Sequence, residues 1–141
     1  MLNLYWYWLP NIGFGPFKFE EPINHYLQDK KLVVVDDIEP SLGWKNYKVL
    51  SEEIYIDVED EKIVCFSSYE KFYYSSINLI GLQREELVEH LGRVPEEIGD
   101  GVVYDDGDVR VPMMFNSLGL IIWTSNEIAV LASCIKCDDV E

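Results

Sequence analysis

Between Ser76 and Pro95 the chain reads SINLIGLQREELVEHLGRVP, and no other stretch restricts the fold as tightly. A short apolar run passes through Asn78 and Gly81 into a segment whose apolar residues repeat at helical spacing. Leu87, Val88 and Leu91 fall on one side with Leu82 a turn earlier, while Arg84, Glu85, Glu86 and Glu89 take the other. Glu85 and Glu86 sit in the first turn, where the helix dipole favours anions. Gly92 suits a left-handed stop and Pro95 forbids continuation. Ile77, Leu79 and Ile80 form a strand end feeding the helix, so the unit is strand, turn, helix. A one-faced helix of this kind needs an apolar surface to cover.

That surface is a sheet. Ile54, Ile56 and Val58 alternate with Tyr55 and Asp57, Glu59 to Glu61 form a turn, and Lys62 to Phe66 returns, which predicts an antiparallel hairpin. Val102 to Tyr104 and Val109 to Phe115 flank the turn signal Asp105-Asp106-Gly107-Asp108. Leu118, Leu120 and Ile122 alternate with Ile121 and Trp123. Ser125 and Asn126 then turn the chain into Ile128 to Ile135. Further strands are expected at Leu2 to Leu9, with Trp6 and Trp8 on one face and Tyr5 and Tyr7 on the other, at Lys31 to Val35, and from Trp44 through Lys48-Val49-Leu50. Phe72 to Ser76 reads as a strand or as a loop packed by its aromatics.

A weaker copy of the strand-turn-helix pattern lies at IGFGPFKFEEPINHYLQDK. There Phe14, Phe17 and Phe19 lead into a helix expected from Pro22 to about Asp29, with Pro22 at its first position and Ile23, Tyr26 and Leu27 on one face. Setting Leu27 against Leu91 pairs Ile23 with Leu87 and reads as an internal duplication, with a gap in the preceding strands. The fold class is α+β: strongly twisted antiparallel sheet with two short helices packed on its apolar face, in one domain spanning 1–141.

At 141 residues the chain can bury one core, and 48% hydrophobic with 26% charged residues is globular composition. The unusual quantity is a formal charge of −15, from 26 acids against 11 bases. Such a field repels phosphate backbones and anionic membrane surfaces and attracts basic partners. Neither nucleic acid nor membrane is expected as a ligand. The opening MLNLYWYWLP lacks a basic n-region and a cleavage site, and the longest later apolar run, Leu118 to Trp123, is too short to span a bilayer. Three cysteines, an odd number, fit a reducing compartment. The expected location is cytoplasmic.

Catalytic and cofactor signals are weak. His25 and His90 lie on predicted helices, with no nucleophile motif, and read as helix-surface residues. Cys134-x-x-Cys137 lacks the further ligands of a zinc site and the βαβ context of a redox site. Gly13 to Lys18, GFGPFK, lacks the Gly-Lys-Ser/Thr ending of a phosphate loop and reads as a β-turn. Asp105, Asp106 and Asp108 do not have calcium-loop spacing. No catalytic residue, metal or cofactor is assigned. The candidates are instead for recognition: the acidic turns Asp57, Glu59, Asp60, Glu61 and Asp105, Asp106, Asp108, and the aromatics Tyr55, Tyr104 and Trp123, which share strands with acidic or exposed positions. Core packing accounts for most of the other aromatics.

The succession IGFGPFKFEEPI, IYIDVEDEKIVCF, NLIGLQREELVEHLG and GLIIWTSNEIAVLAS resembles small bacterial toxin immunity proteins, nearest to those of contact-dependent growth inhibition. The resemblance implies a non-enzymatic cytosolic protein that binds one cognate toxin C-terminal domain, commonly a nuclease, and blocks its active site or substrate surface; a monomer is expected rather than an oligomer. It also implies a sheet-plus-helix fold akin to Whirly domains, with acidity at odds with their DNA binding. The alternative from the residues alone is a small-ligand-binding domain or enzyme using a pocket between sheet and helix; a regulatory adaptor is a third reading.

Overall fold

The structure, a computed structural model, describes residues 6–27, 32–35, 44–50 and 52–136. Three short N-terminal strands, β1 (Trp8–Leu9), β2 (Gly13–Phe14) and β3 (Phe17–Lys18), form a small antiparallel sheet. Helix α1 (Asn24–Leu27) leads to β4 (Leu32–Val35), β5 (Trp44–Val49), β6 (Ile54–Glu59) and β7 (Lys62–Ser68). A hairpin of β8 (Tyr73–Tyr74) and β9 (Ile77–Asn78) precedes helix α2 (Arg84–Leu91). The chain finishes with β10 (Glu97–Ile98), β11 (Val102–Val103), β12 (Val109–Phe115), β13 (Leu120–Ser125) and β14 (Ile128–Ile135). The large sheet runs β10-β12-β13-β14-β7-β6-β5-β4, with β11 also on β12, and every pairing is antiparallel. This is the α+β architecture expected from the alternating patterns.

One face of this sheet carries the core. Ile54, Ile56, Val58, Ile63, Phe66, Met113, Phe115, Leu120 and Ile122 are buried in a single cluster with Leu87 and Leu91 of α2. The N-terminal aromatics supply much of the rest. Phe66 meets Phe14, Phe17 and Phe19 at ring-centroid distances of 5.6, 6.1 and 5.1 Å. Phe14 also stacks on Phe72 at 5.0 Å. Trp6 and Trp8 point inward and Tyr7 outward, as the alternation predicts. The Gly15-Pro16 stretch turns between β2 and β3, and a Cβ at Gly13 would lie 2.1 Å from the Phe17 carbonyl oxygen, so only glycine permits that approach.

Helix α2 follows its sequence closely. The Gln83 N–H donates to the Glu86 carboxylate at 2.9 Å, and Gly92, at φ 75°, closes the end by donating to the Val88 carbonyl. Its entry is fixed by Asn78, whose side-chain oxygen accepts from the Phe72 and Ile80 N–H groups while its amide donates to the Glu70 carbonyl. Two other expectations need correction. α1 starts at Asn24, not Pro22, because residues 20–23 hydrogen-bond to the β6–β7 hairpin; Leu27 is exposed, and the expected end near Asp29 lies outside the described residues. Leu118 is not on the strand with Leu120: Asn116–Leu118 form a 3-10 turn, and the chain re-enters extended structure only after Gly119 at φ 69°.

The two halves of the sheet use the same hydrogen bonds. Each inner hairpin turns on two left-handed residues, Asp60-Glu61 and Asn126-Glu127, and each has a register shift near the turn, at Asp57/Val58 and Trp123/Thr124. Before α1, Glu20 N–H donates to Ile63 O (2.8 Å), Ile63 N–H to Glu21 O (3.1 Å) and Ile23 N–H to Glu61 O (2.9 Å). Before α2, Gly81 N–H donates to Ala129 O (2.9 Å), Ala129 N–H to Leu82 O (2.9 Å) and Arg84 N–H to Glu127 O (3.0 Å). In these bonds Ile23 takes the place that Arg84 takes in the other half, whereas the sequence comparison sets Ile23 against Leu87. Ser67 and Ser133 hold matching positions relative to these two sets of bonds. They face each other where β7 meets β14, with their hydroxyls 2.9 Å apart.

Candidate functional site

Strand alternation gives the sheet a second face, and no described helix packs its buried residues against it. Across neighbouring strands it presents Asn46 opposite Asp57, Lys48 opposite Tyr55, Tyr55 opposite Ser67, Ser67 opposite Ser133, Leu131 opposite Trp123, Trp123 opposite Pro112, and Ser125 opposite Arg110. Apart from Pro112 these side chains are only half-buried. Tyr55, Asp57 and Trp123, three of the residues singled out in the sequence, therefore share one accessible surface.

Two further residues complete it. Tyr69, just beyond β7, meets Tyr55 edge-on with ring centroids 5.9 Å apart. The Arg110 guanidinium lies 4.5 Å from the centre of the Tyr104 ring, a cation–π contact, and its Nε donates to Asp108 at 2.9 Å. The Tyr69 hydroxyl is raised above its ordinary value by burial first and then by Tyr55, with Arg110 opposing. Asp108 accepts from the Ser125 hydroxyl as well as from Arg110, and in that order these two bonds hold its carboxyl below the usual value. The surface thus holds aromatic rings around one guanidinium whose charge is matched within the fold. Sequence inspection missed Tyr69, which lies between the expected strands Lys62 to Phe66 and Phe72 to Ser76 and belongs to neither; Arg110 carried a signal in its alternation with Val109 and Val111.

The acidic turns separate. Asp105 and Asp106 are exposed beside this patch, and Asp106 accepts from the Asp108 N–H at 2.9 Å, a local turn bond. Glu59, Asp60 and Glu61 are exposed at the tip of the β6–β7 hairpin. Since Cys65 pairs with Ile135 while Ser68 pairs with Ala132, that tip points away from the β13–β14 turn and lies at the opposite end of the sheet from Asp108. The two clusters do not form one acidic surface. Asp57 lies between them, accepting from the Asn46 amide.

Burial first, then the Asp57 carboxylate, pushes the neighbouring Cys65 thiol up to about 12. Cys134 is fully buried on the core face and its thiol is likewise raised by burial; Cys137 lies outside the described residues. His25 is exposed beside Glu21 at 3.0 Å, and His90 Nε2 lies 2.7 Å from the Tyr74 carbonyl oxygen, so different elements hold the two imidazoles. Among the described residues no group of three or more His, Cys, Asp or Glu side chains is placed to hold a metal ion, and no helix is long and apolar enough to cross a membrane. No protein-family model, curated protein or solved structure matches the chain.

Proposed function

We propose that this chain is a toxin-neutralising immunity protein that binds the basic C-terminal domain of one cognate bacterial toxin and acts by covering its active site or substrate surface. The observation that carries the reading is the sheet face that no described helix covers, where Tyr55, Tyr69 and Trp123 lie with Tyr104 and Arg110 in a protein of formal charge −15. Tyrosine, tryptophan and arginine are the residues that anchor protein interfaces, because each combines a large contact area with a polar group. An acidic field steers a basic partner toward such anchors and speeds association. A nuclease domain, with a basic substrate cleft, has the complementary charge.

On this proposal the protein works as a cytoplasmic monomer without catalysis, cofactor or nucleic acid. Its two halves derive from one Whirly-like repeat, a reading supported by the matched hydrogen bonds at Ile63 and Ala129. The direct experiment is to co-express the chain with the C-terminal domain of a large secreted toxin encoded immediately upstream of it. The proposal expects growth to be restored and the two proteins to co-purify. Unrelieved toxicity with soluble, folded chain present would overturn it.

A further inference from the structure

From Gly92 to Gly107 every residue except Pro95 and Gly99 is exposed, so this stretch contributes almost nothing to the core. It nonetheless carries Ile98, Val102 and Val103, with Ile98 54% and Val103 70% exposed. β10 and β11 both pair with the side of β12 that faces away from β13, and they are two parts of one edge strand. The Gly99 N–H donates to the Pro112 carbonyl at 3.0 Å and Val102 stands opposite Arg110, which leaves Asp100 and Gly101 together opposite Val111. That is a β-bulge.

Main-chain groups face outward on both sides of the bulge. The Tyr104 N–H donates to the Asp108 carbonyl at 2.8 Å, and the Gly99 N–H is likewise turned toward β12. By antiparallel alternation the N–H and C=O of Val103 and of Ile98 therefore point away from β12, and among the described residues no strand lies beyond them. An open edge flanked by apolar side chains is a template for one more strand, and charge decides which strand it admits. Between residues 92 and 107 five carboxylates, those of Glu96, Glu97, Asp100, Asp105 and Asp106, stand against the one guanidinium of Arg93. Pairing with the same edge of a second copy would set two such acidic rows against each other, and like charges across a strand pair are destabilising. A strand bearing lysine or arginine meets the opposite field. Val102, opposite Arg110, also brings the edge next to the aromatic face of the sheet.

We propose that the β10–β11 edge takes up an extended polypeptide segment in which basic residues alternate with apolar ones, added to the sheet as a strand through the main chain of Val103 and Ile98. The apolar side chains of the segment rest on Val102 and Val103, and its cations lie among the carboxylates. The bulge and the acids exclude acidic or self-pairing strands, so the same features that protect the edge make it selective. This inference adds a second contact to the reading of a basic protein partner. Its test uses a peptide and no toxin, so the two stand or fall separately.

The probe is an end-blocked peptide alternating lysine with valine, titrated into the full chain with its amides isotope-labelled. One control peptide has glutamate in place of lysine; another keeps lysine and valine but has every backbone amide N-methylated, which preserves the side chains and removes the main-chain donors. The lysine peptide is expected to shift the Ile98, Val102 and Val103 amides saturably and to slow solvent exchange of the Val103 N–H by about tenfold or more. The N-methylated peptide should bind at least about fivefold more weakly, and the glutamate peptide should leave the edge unmoved. Val103→Pro removes the outward N–H and no bond to β12, so it should keep the fold and weaken the lysine peptide by about fivefold. Glu97→Gln/Asp100→Asn/Asp105→Asn should weaken it by about tenfold at low salt and by less as salt is raised. An unmoved Val103 amide with the peptide at about 1 mM, shifts centred elsewhere on the protein, or equal binding of the N-methylated peptide would overturn the proposal. The wild-type spectra decide the matter even if a variant does not fold.

Discussion

Replacing Glu127 by glycine removes a side chain from the tip of the β13–β14 hairpin and is expected to stabilise the protein. Asn126 and Glu127 form a two-residue turn with φ 55° and 67°, the mirror-image geometry that matches the twist of antiparallel strands. A residue with a Cβ is disfavoured there by roughly 1–2 kcal/mol, and asparagine tolerates the region better than glutamate. Glycine escapes that cost but brings a more flexible unfolded chain, which takes back roughly 0.5–1 kcal/mol. The net is a gain of about 0.5–1 kcal/mol. Glu61, at φ 69° in the counterpart turn, should respond to glycine in the same sense and by a similar amount. Urea denaturation reads this as a midpoint raised by about 0.3–0.5 M at unchanged slope, with a slope near 2 kcal/mol/M. The Ile23 N–H to Glu61 carbonyl and Arg84 N–H to Glu127 carbonyl bonds are main-chain bonds and survive both substitutions. A lowered midpoint in either variant would refute the left-handed turn geometry, and opposite signs in the two would refute the equivalence of the two hairpins.

Three further outcomes follow from the geometry. Leu87→Ala, at a fully buried position on α2, should cost about 3 kcal/mol, whereas Glu86→Ala, which removes only the bond to the Gln83 N–H, should cost about 1 kcal/mol; chemical denaturation giving equal small losses would remove the core face from the helix. In a Cys137→Ser background, Cys65 and Cys134 should resist alkylation at pH 8 until the protein unfolds, since burial raises both thiols; complete labelling of the native protein within minutes would contradict this. Asp108 has a folded-state carboxyl value below its unfolded one, so its contribution to stability is present above about pH 4 and is lost as the pH falls through the folded value. Asp108→Asn should therefore flatten the acid limb of a stability–pH curve, and an unaltered limb would show that the Ser125 and Arg110 bonds are not made.

Local rules made much of the fold readable, and non-local pairing set the limit. The β6–β7 hairpin and α2 are each specified within about 15 residues, by alternation around an acidic turn and by helical spacing with its caps. The meeting of β7 and β14, which builds one sheet from two halves, joins residues far apart in sequence and has no local signal beyond apolar alternation. Residues 20–23 look like a helix start because Pro22 suits that position; the β6–β7 hairpin claims their backbone groups instead. Alternation also divides β13 into two apolar sets, Leu120 with Ile122 and Ile121 with Trp123, without saying which set the helix layer covers. Tyr55, Asp57 and Trp123 could therefore be chosen as recognition candidates, while their separation from Glu59, Asp60 and Glu61 and the partnership of Tyr69 with Tyr55 emerged only from the sheet order.

The sharpest measurement is the affinity for the toxin C-terminal domain proposed as partner, of wild type, of Tyr55→Ala/Trp123→Ala, and of Glu85→Gln/Glu89→Gln on the exposed side of α2. Circular dichroism verifies that all three are folded. Binding through the open sheet face predicts a loss of 100-fold or more, about 3 kcal/mol, in the aromatic variant, because truncated interface anchors commonly cost about 2 kcal/mol or more each and do not add fully. The helix variant should change by less than about threefold, with its effect on association shrinking as salt is raised. Wild-type affinity in Tyr55→Ala/Trp123→Ala, or a larger loss in the helix variant, would place the interface elsewhere and contradict the account.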